Sequence, residues 1–330
     1  TGIVNDLHFE EVTFIVDLVS TTGATYYMYA GALIADASGG LIVTDCSVDK
    51  YSVIDLKNEA SYIYGGGLVG RVQASMRRPV VFDSCTNAGK IVAESSYVYL
   101  GGLIGLANGD RNSEEAFYDC SNSGEIIATG KTNAFAGGIV GCAYEVDGFY
   151  NCANSGALKG IVVGGICGSI KKSYTASAEG LEFESCTNDG NIVSNSMSAI
   201  AGGIVGSFEN AATFKNCINN AEVSILGSSA GGIAGSGPAS DFISCENTGK
   251  IKATAHAGGI SGQGTSNFEN CTNTGKINGG TAGGISGNGA KSLFECSNSG
   301  EITATSYNSS SSRLGVGGIV GYCSGATVTN

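Results

Sequence analysis

The chain has 330 residues, of which 53 are glycine and 2 are proline, and its formal net charge is −12. A hydrophobic content of 42% supports a packed interior, and so much glycine without a strict triplet repeat excludes collagen. Because the sequence has neither a basic stripe nor a run of about 18 apolar residues, nucleic acid is a poor partner and membrane insertion is not expected. Phosphate-loop and calcium-loop patterns are missing too, so no cofactor is expected.

Residues 1–60 are the least regular part of the chain. Apolar residues recur there, for example at Ile3, Phe9 and Phe14, and a strand-like segment ends at Cys46. We interpret this stretch as degenerate turns of the repeat that fills residues 61–325, and residues 326–330 as the start of one more turn. Because a periodic array forms one elongated body, residues 1–330 are predicted to be a single domain. No signal peptide opens the sequence, so we expect a mature chain whose leader has been removed.

The regular part repeats one motif, which reads Phe-x-x-Cys-x-Asn-x-Gly-x-Ile over residues 268–277. The aromatic position is filled by Phe82, Phe117, Phe149, Phe183, Phe214, Phe242 and Phe268. The cysteine position is filled by Cys46, Cys85, Cys120, Cys152, Cys186, Cys217, Cys245, Cys271 and Cys296. The asparagine position is filled by Asn87, Asn122, Asn154, Asn188, Asn219, Asn247, Asn273 and Asn298. Two copies depart from the pattern, because Ala221 replaces the glycine and Leu293 replaces the phenylalanine.

A second mark, Gly-Gly-[Ile/Leu]-x-Gly, alternates with this motif. It stands at residues 66–70, 101–105, 137–141, 164–168, 202–206, 231–235, 258–262, 283–287 and 317–321. The distance between successive motif cysteines falls from 39 residues (Cys46 to Cys85) to 25 residues (Cys271 to Cys296), whereas the spacings inside the motif stay constant. Constant strands joined by loops of variable length are typical of a solenoid with one repeat per turn.

From the cysteine onward the motif alternates between two faces, which is the period of a half-buried β-strand. Glycine recurs in every segment and costs about 1 kcal/mol per residue in a helix, so helices are not expected. Each turn should contain three short strands, at Phe-x-x-Cys, at Gly-x-Ile and at the Gly-Gly mark. The sequence therefore predicts an all-β fold, a right-handed parallel β-helix of about ten turns.

Turns stacked about 4.8 Å apart would place each motif residue on its equivalent, so that Phe, Cys and Asn each form a ladder. The asparagine amides can then hydrogen-bond along their column. The motif glycine either adopts a backbone conformation closed to other residues or provides room at a corner. The cysteines are expected to be buried side chains without a metal, although Cys142 and Cys167 could meet, and the redox state of these two and of Cys323 stays open.

The Gly-Gly mark combined with Asn-x-Gly-x-Ile resembles the GLUG-type repeats of bacterial surface proteins, over roughly residues 30–325. Such repeats occur in adhesin-like proteins and beside the catalytic domains of immunoglobulin-A-cleaving metallopeptidases. The resemblance implies a cell-surface or secreted bacterial module, and hence an extracellular location. It transfers no catalytic residue, because the repeat has none, and cysteine stands here where small polar residues are frequent in the family.

The most suggestive surface feature is a set of tyrosines two and four residues before the Gly-Gly mark. They are Tyr27, Tyr29, Tyr62, Tyr64, Tyr97 and Tyr99. The pattern lapses to Asn133 and Phe135 in the next turn. Stacked turns would make two parallel tyrosine ladders. If these face outward, they form a flat platform for sugar rings or a protein partner; otherwise they cover the N-terminal end of the core.

A second candidate site is charged. Loops after the Gly-Gly mark carry Arg71, Arg77, Arg78, Asp110, Arg111, Glu114, Glu115, Lys171 and Lys172. Such groups could serve a polysaccharide lyase or glycoside hydrolase, but solvated loop charges are commoner. A Ser/His/Asp triad would need His8 or His256, the two histidines, and is not favoured.

Three functions therefore stay open. The first is a non-enzymatic, adhesin-like protein, secreted or on the cell surface, that presents loops and tyrosines to a glycan or to a host or cell-surface protein. The second is a carbohydrate-active enzyme that uses the charged loops. The third is an inert stalk within a larger surface protein, whose further domains would be its partners.

Overall fold

In a computed structural model, the chain forms an all-β solenoid of stacked parallel strands, which confirms the predicted parallel β-helix. The structure describes residues 1–18, 25–58, 61–74, 78–109, 114–172, 180–305 and 314–329. None of the residues in these ranges belongs to a helix that could span a bilayer.

The strands build four sheets that run the length of the solenoid, and strands of successive turns are neighbours in each sheet. Sheet A contains Gly2–Asn5, Leu41–Thr44, Val80–Asp83, Glu115–Tyr118, Gly148–Tyr150, Leu181–Glu184, Ala212–Lys215, Asp241–Ile243, Asn267–Glu269, Ser292–Phe294 and Thr327–Thr329. Sheet B contains His8–Phe9, Ser47–Val48, Thr86–Asn87, Ser121–Asn122, Ala153–Asn154, Thr187–Asn188, Ile218–Asn219, Glu246–Asn247, Thr272–Asn273 and Ser297–Asn298.

Sheet C has two columns, which the long strands Lys90–Gly101 and Ile126–Gly137 join. Its first column also contains Thr13–Leu18, Val53–Asn58, Leu158–Lys159, Ile192–Ser194, Val223–Ile225, Ile251–Lys252, Ile277–Gly279 and Ile302–Ala304. Its second column also contains Tyr27–Ala30, Tyr62–Gly66, Val162–Gly164, Ile200–Gly202, Ser229–Gly231, His256–Gly258, Thr281–Gly283 and Gly315–Gly317. Sheet D contains Ile34–Ser38, Val69–Gln73, Ile104–Asn108, Val140–Tyr144, Cys167–Lys171, Val205–Phe208, Ala234–Ser236, Ser261–Gln263, Ser286–Asn288 and Val320–Tyr322.

A typical turn contains five short strands rather than the predicted three. One turn has strands at Asn267–Glu269, Thr272–Asn273, Ile277–Gly279, Thr281–Gly283 and Ser286–Asn288. The prediction treated the Gly-Gly mark as one strand, but the chain bends after the first glycine of the mark. The mark therefore ends a strand of sheet C and begins a strand of sheet D. A second corner, before the cysteine, makes the two residues after the cysteine a separate strand in sheet B.

The corner before each motif cysteine is made by a residue in the left-handed region. These residues are Asp45, Ser84, Asp119, Asn151, Ser185, Asn216, Ser244, Asn270 and Glu295, with φ between 49° and 56°. A positive φ is uncommon outside glycine, and Asp and Asn tolerate it best because their short polar side chains can hydrogen-bond locally. The backbone at this position therefore carries conformational strain that a glycine would relieve.

The phenylalanines form a continuous stack in the interior. Neighbouring ring centroids lie between 4.6 and 5.6 Å apart, and each ring is at most 1% exposed. Burial of one such side chain contributes about 2 kcal/mol. The cysteine column lies beside this stack, and from Cys120 to Cys271 each thiol donates to the carbonyl oxygen of the preceding turn's phenylalanine, at 3.3–3.5 Å. All twelve cysteines are free.

The asparagines form a continuous ladder of amides. From Asn87 to Asn273, each Nδ2 donates to the Oδ1 of the asparagine in the next turn at 2.6–2.8 Å, and Asn298 is the last acceptor. The same Nδ2 also donates to the carbonyl oxygen two residues further along its own turn. The ladder reaches from sheet B to the Gly-Gly bend, because a Cβ on the second glycine, Gly232, would lie 2.6 Å from Asn247 Oδ1. The two sequence marks therefore meet across the interior.

The motif glycine provides room rather than an unusual backbone. The glycines with positive φ among the described residues are Gly39, Gly180, Gly264 and Gly289, none of which belongs to the motif. A Cβ on Gly249 would lie 1.9 Å from the carbonyl oxygen of Ala221 in the preceding turn. Ala221 itself occupies the equivalent position, so the stack accommodates one methyl group there.

Replacing a left-handed serine with glycine should stabilise the fold. Ser185 has a φ of 56° and an exposed side chain, so we expect Ser185→Gly to raise the free energy of unfolding by about 1 kcal/mol, measured by urea unfolding. Ser155→Gly is the matched control, because Ser155 is also exposed but has no positive φ, and it should lower the stability. A gain in both variants, or in neither, would contradict this account of the corner.

Removing one amide from the middle of the asparagine ladder should cost more than removing its last member. Asn188→Ala leaves Asn154 Nδ2 and Asn219 Oδ1 without their ladder partners, and we expect a loss of about 3 kcal/mol. Asn298→Ala removes one ladder bond at a half-buried end and should cost about 1 kcal/mol. Equal losses in urea unfolding would show that the ladder does not act as a continuous column.

Candidate functional site

The six tyrosines lie on the outward face of the second column of sheet C. Tyr27 pairs in register with Tyr62 and then Tyr97, and these three rings, here named the margin column, have centroids 5.1 and 4.4 Å apart. A second stack, here named the corner column, consists of Tyr29, Tyr64, Tyr99 and Phe135, with centroids 5.3, 4.8 and 5.0 Å apart. The parallel register of the strands therefore places all six side chains in two outward rows.

The corner column fills the angle between sheets C and D. Tyr64 is 7% exposed and Phe135 is 4% exposed, and both pack with Leu106, Cys142 and Val162 in a cluster that is separate from the interior. We name this set the corner cluster. Leu106 and Cys142 come from sheet D, so outward side chains of two sheets converge here. The corner column is therefore a packed structural element.

The margin column is more accessible to solvent than the corner column. Tyr27 is 56% exposed, and Tyr62 and Tyr97 are half-buried. The Tyr62 hydroxyl lies at the surface, whereas the hydroxyls of Tyr64 and Tyr99 lie well inside the protein. Burial raises the pKa of Tyr64 and Tyr99 far above the ordinary value, and burial together with the charges of Tyr97 and Tyr27 raises the pKa of Tyr62 to a smaller extent. All three phenols therefore stay protonated at neutral pH.

The rings offer less flat surface than the expected platform. Within the margin column the interplanar angles are 20° and 6°, so the rings lie face to face along the solenoid axis. Tyr62 has a ring on each side and thus no free face. What the margin column presents outward is ring edges and hydroxyl groups. A sugar ring therefore cannot stack on the face of Tyr62, because neighbouring rings cover both sides of it.

A charged pair sits beside the two columns. The Arg71 guanidinium carbon lies 4.4 Å from the Tyr29 ring centroid, and its Nε and Nη2 donate to the two carboxylate oxygens of Asp36 at 2.8 and 2.7 Å. These hydrogen bonds raise the pKa of Arg71. The same arrangement recurs further along, where Lys171 Nζ lies 5.8 Å from the Phe135 ring and 2.9 Å from a Glu209 oxygen. Each of these cations therefore contacts an aromatic ring and a carboxylate at the same time.

The charged residues proposed for a catalytic site do not form one cluster in the described parts of the chain. Arg77, Asp110 and Arg111 lie outside the described residues. Arg71 and Lys171 are engaged as above, and Glu114 accepts from the Tyr118 hydroxyl at 3.1 Å. No group of three His, Cys, Asp or Glu side chains that could hold a metal ion occurs among the described residues.

The two histidines have separate surroundings. His8, in sheet B, lies 2.7 Å from the Ser47 hydroxyl and 3.3 Å from Asp6. His256, in sheet C, lies 2.6 Å from the Thr281 hydroxyl, and burial lowers its pKa. His8 contacts the serine through Nδ1 and the carboxylate through Nε2, which is the reverse of the arrangement in a Ser/His/Asp triad, and the His8 and Asp6 side chains are exposed. His256 contacts a threonine and lies in a different turn from His8.

The expectation that Cys142 and Cys167 could meet is wrong. Cys142 belongs to the corner cluster outside sheet D, whereas Cys167 belongs to the interior cluster with the phenylalanines. In the pairing register Cys167 is opposite Val140, and Cys142 is opposite Ser169. The two thiols therefore lie on opposite faces of the same sheet. Burial raises the pKa of Cys142 to about 12, which keeps it as an unreactive thiol.

Sequence reasoning missed the sheet D half of this surface. Asp36, Arg71, Leu106 and Cys142 all stand five residues after the first position of the Gly-Gly mark or its worn copy at Gly31. Aligning that position across the turns would have placed Arg71 directly beside Asp36 and would have revealed the column. The column is hard to recognise in the sequence because the residue at this position changes from acidic to basic to apolar in successive turns.

No family model matches the chain, no curated protein matches it, and no solved structure matches it. The resemblance to GLUG-type repeats therefore rests on the sequence motif, while the parallel β-helix rests on the structure.

Alkaline pH should weaken the fold through the buried tyrosines. An unfolded tyrosine has a pKa of about 10, and the folded pKa of Tyr64 is raised, so its stabilising contribution is complete below pH 10 and is lost as the pH rises further. Between pH 8 and 11 the wild type should lose about 1 kcal/mol more stability than Tyr64→Phe in urea unfolding. Tyr51→Phe, at a 65% exposed ring, should behave as wild type. Identical pH profiles for wild type and Tyr64→Phe would rule out this linkage.

Proposed function

We propose that this chain is a non-enzymatic binding protein, secreted or displayed at a cell surface, whose margin column of Tyr27, Tyr62 and Tyr97 contacts a glycan. The observation that supports this proposal is the margin column itself. Three tyrosines stand in register at the surface, and stacking fixes their rings before any ligand arrives. Aromatic groups that are already ordered lose little entropy on binding.

The solenoid behind the column supports a display role. The Phe and Asn ladders begin at Phe82 and Asn87, in the turn of Tyr97, and join that turn to the ones that follow. The turns of Tyr27 and Tyr62 are joined to it by parallel strand pairing. The net charge of −12 disfavours nucleic acid and anionic surfaces as partners. An extracellular location, implied by the GLUG-type motif, is compatible with free thiols here because ten of the twelve cysteines are buried.

The corner column and the Arg71–Asp36 pair support the site rather than form it. Tyr64 packs behind the margin column with centroids 6.3 Å from Tyr62, and Arg71 covers Tyr29. These contacts limit how the outward strand can tilt. Among the described candidates, Arg71 and Lys171 are in ion pairs with Asp36 and Glu209.

Truncating the margin column should weaken glycan binding. We expect Tyr27→Ala/Tyr62→Ala/Tyr97→Ala to lower the affinity for glycans that the wild type captures on an array by about tenfold or more, because three contact side chains are removed. The matched control is Tyr118→Ala/Tyr150→Ala, which removes another stacked, half-buried pair, on sheet A, with centroids 5.1 Å apart. Thermal unfolding of both variants would verify that they fold.

Two results would contradict the proposed function. One is capture of the same glycans by the triple variant with unchanged affinity. The other is an equal loss in the Tyr118→Ala/Tyr150→Ala control, which would indicate a general effect of removing surface tyrosines rather than a site at the margin column.

A further inference from the structure

The margin column faces its ligand with hydroxyl groups instead of ring faces. Stacking covers both faces of Tyr62, and it covers one face each of Tyr27 and Tyr97. Below Tyr97 the pairing register places Asn133, so the row ends in a polar side chain. A ligand that approaches from solvent therefore meets ring edges, and at their tips the phenol oxygens.

A neutral phenol both donates and accepts a hydrogen bond. Its best complement is a group with the same two capacities, such as a sugar hydroxyl, whereas a carboxylate offers acceptors alone. The raised pKa of Tyr62 preserves the donor at neutral and mildly alkaline pH. Tyr97 is stacked on Tyr62 with ring centroids 4.4 Å apart, so the two hydroxyls stand next to each other in the row.

The net charge of the protein disfavours an acidic ligand. Arg71 is the cation next to the tyrosine columns, and both carboxylate oxygens of Asp36 already accept from it. Glu94 extends from the same strand as Tyr97 and is exposed. Lys57 is opposite Glu94 in the pairing register, and Lys131 is exposed two residues before Asn133, so the charges nearest the row are of both signs. The net charge of −12 is what disfavours a carboxylate or sulfate at the row.

Because the tyrosine row runs along the solenoid axis, a chain-like ligand should lie along the same axis. Successive hydroxyl-bearing rings are separated by one turn, with centroids 4.4 and 5.1 Å apart along the solenoid axis. A chain lying across the axis would reach one tyrosine, whereas a chain parallel to the axis reaches all three. We propose, building on the function proposed above, that the margin column binds an uncharged, hydroxyl-rich polysaccharide along the solenoid axis through its phenol hydroxyls.

Exchanging tyrosine for phenylalanine separates hydroxyl contacts from ring contacts. Tyr62→Phe/Tyr97→Phe keeps both rings, and Phe135 shows that phenylalanine fits such a stack. We expect this variant to lose about tenfold or more in affinity for neutral gluco- and manno-oligosaccharides, measured by titration calorimetry. Tyr99→Phe, which removes a buried hydroxyl from the corner column, is the control and should bind as wild type. Acidic oligogalacturonates should bind less tightly than the neutral chains at physiological ionic strength.

The outcomes distinguish failure of hydroxyl recognition, failure of the selectivity for uncharged ligands and failure of the proposed function. If the double phenylalanine variant binds as wild type while the triple alanine variant does not, the proposed site stands and hydroxyl recognition is overturned. Tighter binding of oligogalacturonates than of neutral chains would overturn the selectivity for uncharged ligands. If the wild type binds neither set of oligosaccharides, or if the triple alanine variant binds them normally, the proposed function fails and this inference fails with it.

Discussion

The asparagine ladder is the interaction on which the rest of the fold depends. It crosses the interior from sheet B to the Gly-Gly bend, and the apolar residues separate into two clusters on its two sides. One cluster contains the phenylalanines and motif cysteines, and the other contains the inward residues of sheet C. A buried amide is costly unless it is hydrogen-bonded, so each asparagine requires a neighbour above and below it. That requirement fixes the vertical register of every regular turn.

The fixed register explains why so many surface features occur as rows. A residue that points outward in one turn lies above its equivalent in the next, so a local choice of side chain becomes a column. Exposed ion pairs such as Lys90–Glu125 and Lys276–Glu301 follow this rule, but solvent screens the charges, so these pairs contribute little to stability. They follow the register that the interior sets. The margin column is in register as well, but Phe9 and Val48 stand at the asparagine position in the turns of Tyr27 and Tyr62, so strand pairing sets its spacing there.

The fold could be predicted from the sequence because the alternation of apolar and polar residues indicates strands and the repeat length indicates turns. The three-strand turn was wrong since a spacing pattern does not show where the chain bends. Both corners carry local cues, namely the first glycine of the mark and the Asp, Asn or Ser before the cysteine, but their effect depends on contacts with other turns. The opposite faces of Cys142 and Cys167 were hidden for the same reason, because the bend at the mark resets the alternation.

The tyrosines show where sequence reasoning about a site reaches its limit. Their spacing placed them in two rows, yet it could not show that the Tyr64 row packs into an angle between sheets while the Tyr62 row stays at the margin. It also could not show that stacking covers the ring faces. Regular stacking reduces the flat aromatic surface that a ligand could contact, because each ring covers the face of the ring in the next turn. A ladder of this kind is therefore suited to reading hydroxyl groups along a chain, and its rings act as rigid supports for the oxygen atoms at their tips.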